Sequence, residues 1–256
     1  MINFALFGVK AFTLFTLAGI AYNQYIARPM ETTRTSDPVL KINEIFFSIQ
    51  GESSHAGKLC VFIRLTYCNL RCSYCDTEYA FHDGKDMPLD EILVEVKKYN
   101  CKTVEVTGGE PLMQKPVYTL MTSLCDEGFE VLIETGGSLD ISTIDPRVFK
   151  IMDLKCPSSN MASKNRYENI LHLLPHDEVK FVIGTREDYD WSVDTIRQYR
   201  VQEKCRTILF SPVFDRIEPV EIVNWMLDDS LQKEIPNLRF QIQMHKMIWA
   251  PETRGV

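Results

Sequence analysis

Residues 59–75 read LCVFIRLTYCNLRCSYC, an apolar, branched run that breaks into a loop carrying Cys68, Cys72 and Cys75. The run has the composition of a buried strand, and the loop is a CxxxCxxC. Three thiolates on one loop can bind three irons of a cubane cluster and leave the fourth iron to a non-protein ligand. The competing reading is structural zinc, which takes four closed ligands and often draws them from paired CxxC units. The next cysteine, Cys101, lies beyond a predicted helix, so zinc is the poorer reading.

Outward from this loop, residues 103–107, 131–135, 148–154, 179–183, 207–210 and 238–243 are strand-like, and helical segments separate most of them. In residues 218–234, Val220, Val223, Leu227 and Leu231 recur at helical spacing behind Pro219, which suits a first turn, so this helix is expected to cover a sheet. Strands alternating with helices point to parallel βαβ units whose ligands gather at the C-terminal strand ends. About six units make an incomplete (β/α)6, TIM-like barrel, expected to span residues 39–256.

The bulk properties fit one α/β domain. The chain has 256 residues, 45% hydrophobic, enough for a substantial core. A net charge of -7 argues against a nucleic-acid partner, which calls for a basic face. Eight cysteines in this length are not the dense framework of a small secreted domain, and Cys60, Cys101, Cys125, Cys156 and Cys205 read as small core hydrophobes.

The first 22 residues are apolar apart from Asn3, Lys10 and scattered threonines, nearly enough for a membrane span. A secretory signal would begin basic, yet Lys10 lies inside the apolar run. The preferred reading is a start placed too far upstream, with Met30 the working initiator of a cytoplasmic enzyme. An N-terminal anchor is second, with Arg28 and Arg34 holding the domain on the cytoplasmic side. Residues 1–38 thus form an apolar extension followed by a polar linker.

A second motif, Thr107-Gly108-Gly109-Glu110-Pro111, stands where the next strand ends. Its glycines allow a ligand close to the backbone, and a glutamate can accept from an ammonium group. Together the two motifs resemble the radical S-adenosylmethionine (SAM) superfamily. There CxxxCxxC holds a [4Fe-4S] cluster and GGE meets the methionyl amine of SAM. The resemblance implies a 5'-deoxyadenosyl radical that removes a hydrogen atom from substrate.

A narrower resemblance, from about Lys41 onward, is to the 7-carboxy-7-deazaguanine synthase family. Its marks are Glu44-Ile45-Phe46, Ser48-Ile49-Gln50-Gly51-Glu52, Val61-Phe62-Ile63-Arg64, Cys75-Asp76-Thr77, Glu134-Thr135-Gly136-Gly137, Ser211-Pro212-Val213, Gln243-Met244-His245-Lys246, Trp249 and Arg254-Gly255-Val256. That family converts 6-carboxy-5,6,7,8-tetrahydropterin to 7-carboxy-7-deazaguanine with loss of ammonia, on the route to queuosine. SAM is regenerated and magnesium assists.

The resemblance implies that Ile49, Gln50, Gly51 and Glu52 meet the pterin, that Arg64 pairs with its carboxylate, and that Thr107, His245 and Pro251 also touch substrate. Thr77 would offer its hydroxyl to Mg2+. Gly109 and Glu110, then Asp153, Leu154 and Lys155, then Ser211, Pro212, Val213 and Phe214 would bind SAM. It also implies an electron donor such as flavodoxin or ferredoxin, and a homodimer. Two alternatives compete: a glycyl-radical-activating enzyme, which needs an open groove for another protein's backbone, and a membrane-anchored iron-sulfur electron carrier, which has no use for GGE or an anion-binding arginine.

Overall fold

Side-chain alternation along the strands divides this protein into a dry outer face and a charged interior. The computed structural model describes residues 38–256, so the expected Met30 start and the anchor lie outside it. In chain order the strands are β1 (Val39–Ile49), β2 (Leu59–Leu65), β3 (Lys85–Pro88), β4 (Thr103–Gly108), β5 (Glu130–Thr135), β6 (Phe149–Asp153), β7 (Glu178–Ile183), β8 (Thr207–Pro212) and β9 (Leu238–Phe240). They form one sheet in the order β3-β1-β2-β4-β5-β6-β7-β8-β9, with β3 and β9 as its open edges. From β2 to β9 every pairing is parallel, and β1 is antiparallel to both β2 and β3. The sheet is a barrel left unclosed. The β1–β3 hairpin extension escaped the sequence reading, because residues 39–49 mix charged with apolar side chains.

Helices α1 (Leu89–Lys97), α2 (Pro116–Asp126), α3 (Arg186–Tyr199) and α4 (Pro219–Asp228) cover the sheet. Only short 3-10 turns or irregular chain join β5 to β6 and β6 to β7. Glycines and Asp145-Pro146 in the first connection, and Pro157 and Pro175 in the second, leave no run of helical periodicity. The helix expected over residues 218–234 ends at Asp228, and Ser230 follows in a left-handed conformation with φ of 50°. Its buried side chain is Ile222, with Trp225 and Met226 packed beside it, while Val220 and Leu227 face solvent. Leu231, in the turn beyond the helix, is buried as expected, but within the helix the buried stripe lies one position over from the expected one.

On β2, β4, β6, β7 and β8, Val61, Ile63, Leu65, Val104, Val106, Met152, Val179, Phe181, Ile208 and Phe210 point outward and are essentially inaccessible under the helices. Burying each such side chain stabilises the fold by about 1.5–3 kcal/mol. The alternate positions point inward: Arg64, Glu105, Thr107, Glu134, Asp153, Lys180 and Ser211 all line a central cavity. Cys60, Cys156 and Cys205 are buried in the core as expected, and Cys101 and Cys125 are partly buried against it. No helix among the described residues is long and apolar enough to cross a membrane.

Candidate active site

The cavity measures about 730 Å³ and opens where the parallel strands end. Its wall includes Cys68, Cys72 and Cys75, and no other cysteine. The CxxxCxxC loop leaves β2 through Tyr67, at a positive φ of 82°, and is held at several points. The Arg71 guanidinium donates to the carbonyls of Cys68 (2.8 Å) and Leu70 (2.6 Å) and lies 4.2 Å from the Phe81 ring centroid. Ser73 Oγ donates to Ser158 O at 2.6 Å, and Tyr74 Oη to Val182 O at 3.3 Å. All three thiols are pushed above the usual range by burial, Cys72 to about 11.

The donor set fits a cluster. Three thiols share one cavity, the Lys155 ammonium favours their charged form, and no fourth cysteine lines it. Cys101 is the zinc reading's candidate fourth ligand. It sits before β4, at the opposite end of the barrel, with Sγ directed to the carbonyls of Leu59 (3.3 Å) and Thr103 (3.6 Å).

Gly109 follows β4 against the cluster loop. A Cβ there would fall 2.3 Å from Tyr67 O and 2.7 Å from Cys68 Cβ, so only glycine permits the approach. Glu110, 1% exposed, accepts from Leu112 N (3.1 Å), Thr135 Oγ1 (3.0 Å) and Gly136 N (2.7 Å). Burial raises its carboxyl, against the pull of these donors. The glutamate thereby ties β4 to β5 beneath the cluster loop as well as lining the cavity.

The cavity's interior is a network of buried charge. Lys180 Nζ contacts Glu52 (2.8 Å), Glu134 (3.2 Å) and Asp153 (4.0 Å). Burial pushes the Glu134 carboxyl up to about 7, with Lys180 opposing and Glu52 and Asp153 reinforcing. Burial and the Glu134 charge raise Glu105 well above the carboxylate range, and Gln50 Nε2 donates to it. For Glu52 burial acts upward, but the charge and hydrogen bond of Lys180 and the Gln243 amide outweigh it, and the carboxyl lies below its usual value. Lys155 is likewise opposed by burial, yet Asp153 at 2.9 Å and Cys72 hold it above the usual ammonium range.

The β1–β2 loop brings the polar end of the site together. Met244 N donates to Gly51 O at 2.9 Å, and a Cβ on Gly51 would meet His245 Nδ1 at 2.2 Å, so His245 packs directly on that glycine. Burial lowers the His245 pKa below the usual imidazole value, with the Glu52 and Asp76 charges opposing. Thr77 Oγ1 donates to Asp76 Oδ1 at 2.9 Å, and Lys246 pairs with Asp76 Oδ2 at 2.6 Å. Arg64 Nε donates to Glu44 at 2.8 Å, and its guanidinium carbon lies 5.6 Å from the Phe46 ring centroid and 5.8 Å from that of Tyr79.

One cavity therefore brings together Ile49, Gln50, Gly51, Glu52, Arg64, Thr77, Thr107, Gly109, Glu110, Asp153, Lys155, Ser211, Pro212, Val213, Phe214, His245 and Pro251 with the three cysteines. Leu154 is the exception. It is fully buried in the outer core, because one step past inward-facing Asp153 reverses the side chain. Lys180 and Glu105 were missed, although a charged residue at an inward position of an otherwise apolar strand, as in residues 103–108 and 178–183, is itself a readable signal.

The chain matches the radical SAM superfamily over residues 62–226 and belongs to it. It is an enzyme class that uses a [4Fe-4S] cluster and SAM, and the three-cysteine loop and glycine-lined cavity described above provide for both. Within it the chain belongs to the 7-carboxy-7-deazaguanine synthase family. It is 42% identical to the 7-carboxy-7-deazaguanine synthase of Koribacter versatilis, over 85% of this chain and 100% of that protein. With the Chlorobaculum tepidum synthase the identity is 44%, over 87% and 100%. The crystal structure of QueE from Escherichia coli shares the fold, with a TM-score of 0.66 at 20% identity, over 81% of this chain and 95% of that one.

Proposed function

We infer that this chain is a carbon-nitrogen lyase converting 6-carboxy-5,6,7,8-tetrahydropterin to 7-carboxy-7-deazaguanine with loss of ammonia, in 7-deazapurine (queuosine) biosynthesis. The observation that carries this is the joining of a three-thiol loop to a small-molecule-sized cavity with a guanidinium at one corner and buried carboxylates inside. The full-length similarity to synthases supports it. An activating enzyme acting on another protein's backbone would need a groove, and an electron carrier has no need for the charged interior.

Cys68, Cys72 and Cys75 would hold the cluster, and Gly109 and Glu110 the SAM beside it, which together would supply radical hydrogen-atom abstraction; the chain's own residues select and hold the substrate. Arg64 spends Nε on Glu44, keeping its two terminal nitrogens for a carboxylate. Gln50, fixed by Glu105, and Glu52, fixed by Lys180 and Gln243, present polar atoms to the pterin's hydrogen-bonding edge. Glu134, with a pKa of about 7, can hold or give a proton near neutral pH. Thr77, whose hydroxyl lies beside the Asp76 carboxylate, would be the oxygen donor for Mg2+, a hard cation suited to hydroxyl, carboxylate and water. A cytoplasmic homodimer reduced by flavodoxin or ferredoxin belongs to the same reading.

Arg64→Ala is expected to lose pterin turnover while still releasing 5'-deoxyadenosine slowly, since the thiol loop is untouched. Thr77→Ala should weaken the magnesium dependence without abolishing activity. Normal pterin turnover by Arg64→Ala would overturn the substrate assignment.

A further inference from the structure

Arg64, Lys155, Lys180 and Lys246 line the cavity, and each already has an acidic partner: Glu44, Asp153, Glu52 and Asp76, respectively. Arg254 also lines it and, among the described residues, has no carboxylate partner. Its guanidinium carbon lies 3.9 Å from the centroid of the Tyr79 ring, the same ring that Arg64 approaches at 5.8 Å. Tyr79 Oη is itself held by Glu44 at 3.0 Å. The tail is built to reach this corner: Thr253 N donates to Ala250 O at 2.9 Å, and Gly255, at a φ of 71°, lays the chain against Phe46 Cβ, 3.9 Å from where its own Cβ would stand.

The rest of the cavity is rich in carboxyl groups: Glu52, Asp76, Glu105, Glu110, Glu134, Asp153 and Glu252. The cavity's lysines are committed to these carboxyl groups, and the Arg64–Tyr79–Arg254 corner is where positive charge remains uncommitted. Arg64 keeps only part of its fork there, and its charge is offset by Glu44.

We propose that Arg254, stacked on the same Tyr79 ring that Arg64 approaches, is a second substrate-carboxylate ligand, and that it selects carboxylated pterins over uncharged ones. This rests on the pterin reading given above. A guanidinium oriented by an aromatic face loses little freedom on binding, and its planar fork matches a carboxylate. Bound substrate covers the guanidinium, which is otherwise open to solvent, and so strengthens the pair.

The test is equilibrium binding of two unreactive, fluorescent ligands, 6-carboxypterin and 6-methylpterin, to the anaerobically reconstituted enzyme and its Arg254→Ala and Arg254→Lys variants. A charge-assisted contact is worth a factor of about 10–100. Arg254→Ala is therefore expected to weaken 6-carboxypterin by that factor while 6-methylpterin changes less than about twofold, with Arg254→Lys intermediate because it keeps charge without the fork. With the tetrahydropterin substrate, KM should rise more than kcat falls. Equal weakening of both ligands would mean that Arg254 only shapes the tail, and no weakening of either would mean that it stays in solvent; each overturns the proposal. If the unaltered enzyme binds neither pterin, the synthase reading itself fails, and this assignment falls with it.

Discussion

Replacing Lys180 with methionine removes the cation that neutralises the cavity's interior while preserving most of the side chain's volume. Lys180 is 4% exposed and reaches Glu52 at 2.8 Å, Glu134 at 3.2 Å and Asp153 at 4.0 Å. Taking one partner from a buried ion pair costs about 3–5 kcal/mol, because the remaining charge stays buried without compensation. The remaining carboxyls can escape part of that cost by taking up protons. Burial, more than any other cause, already holds Glu134 at about 7 against an ordinary 4.5. Between those values the folded chain binds more protons than the unfolded one, so this group makes stability fall as pH rises. Lys180 works to lower the carboxyl pKa of Glu134, Glu105 and Glu52. Without it the window extends upward and the pH slope steepens. Urea unfolding followed by tryptophan fluorescence should show Lys180→Met destabilised by about 3–5 kcal/mol near pH 8 and by less than about 2 kcal/mol near pH 5.5. Adding Glu134→Gln should restore part of the loss at the higher pH. A penalty that is independent of pH, or larger in acid, would refute the argument.

Two further outcomes follow from the site's construction. Gly109→Ala should lose cluster loading and SAM cleavage, measured by iron content and 5'-deoxyadenosine release, and should destabilise the fold by about 1–3 kcal/mol, the usual cost of overpacking. A chain beginning at Met30 should fold and turn over as the full chain does, since every cavity residue lies after position 45; loss of activity on this truncation would show that the first segment acts on the domain.

The strands that build the barrel were legible because branched residues crowd their outward positions, and the two glycine- and cysteine-bearing loops were legible because their spacing is itself chemical. What escaped depends on pairing across the fold. β1 and β3 carry Lys41, Asn43, Glu44, Lys85 and Asp86, so their partners, not their composition, make them strands. α4 turned a different face inward because periodicity gives a stripe's spacing and not its direction. Leu154 was assigned to the cofactor with its neighbours, yet adjacent residues at a strand end point to opposite sides, so Asp153 and Lys155 enter the cavity and Leu154 leaves it. Lys180 and Glu105 stood in plain view as charges inside apolar strands, and only the curling of the sheet around the β1–β2 loop gives each a counterpart.

The central claim is that Cys68, Cys72 and Cys75 open onto a cavity made for a carboxylated pterin. Its most direct test is an anaerobic assay of the iron- and sulfide-reconstituted, reduced protein with SAM, Mg2+ and 6-carboxy-5,6,7,8-tetrahydropterin, with 7-carboxy-7-deazaguanine and ammonia followed together. Both products should form in equal amounts, and alanine at any of the three cysteines should abolish them while alanine at Cys101 leaves them. Release of 5'-deoxyadenosine with the pterin intact would contradict the substrate assignment. Stoichiometric zinc without iron-sulfur absorption would contradict the radical chemistry itself.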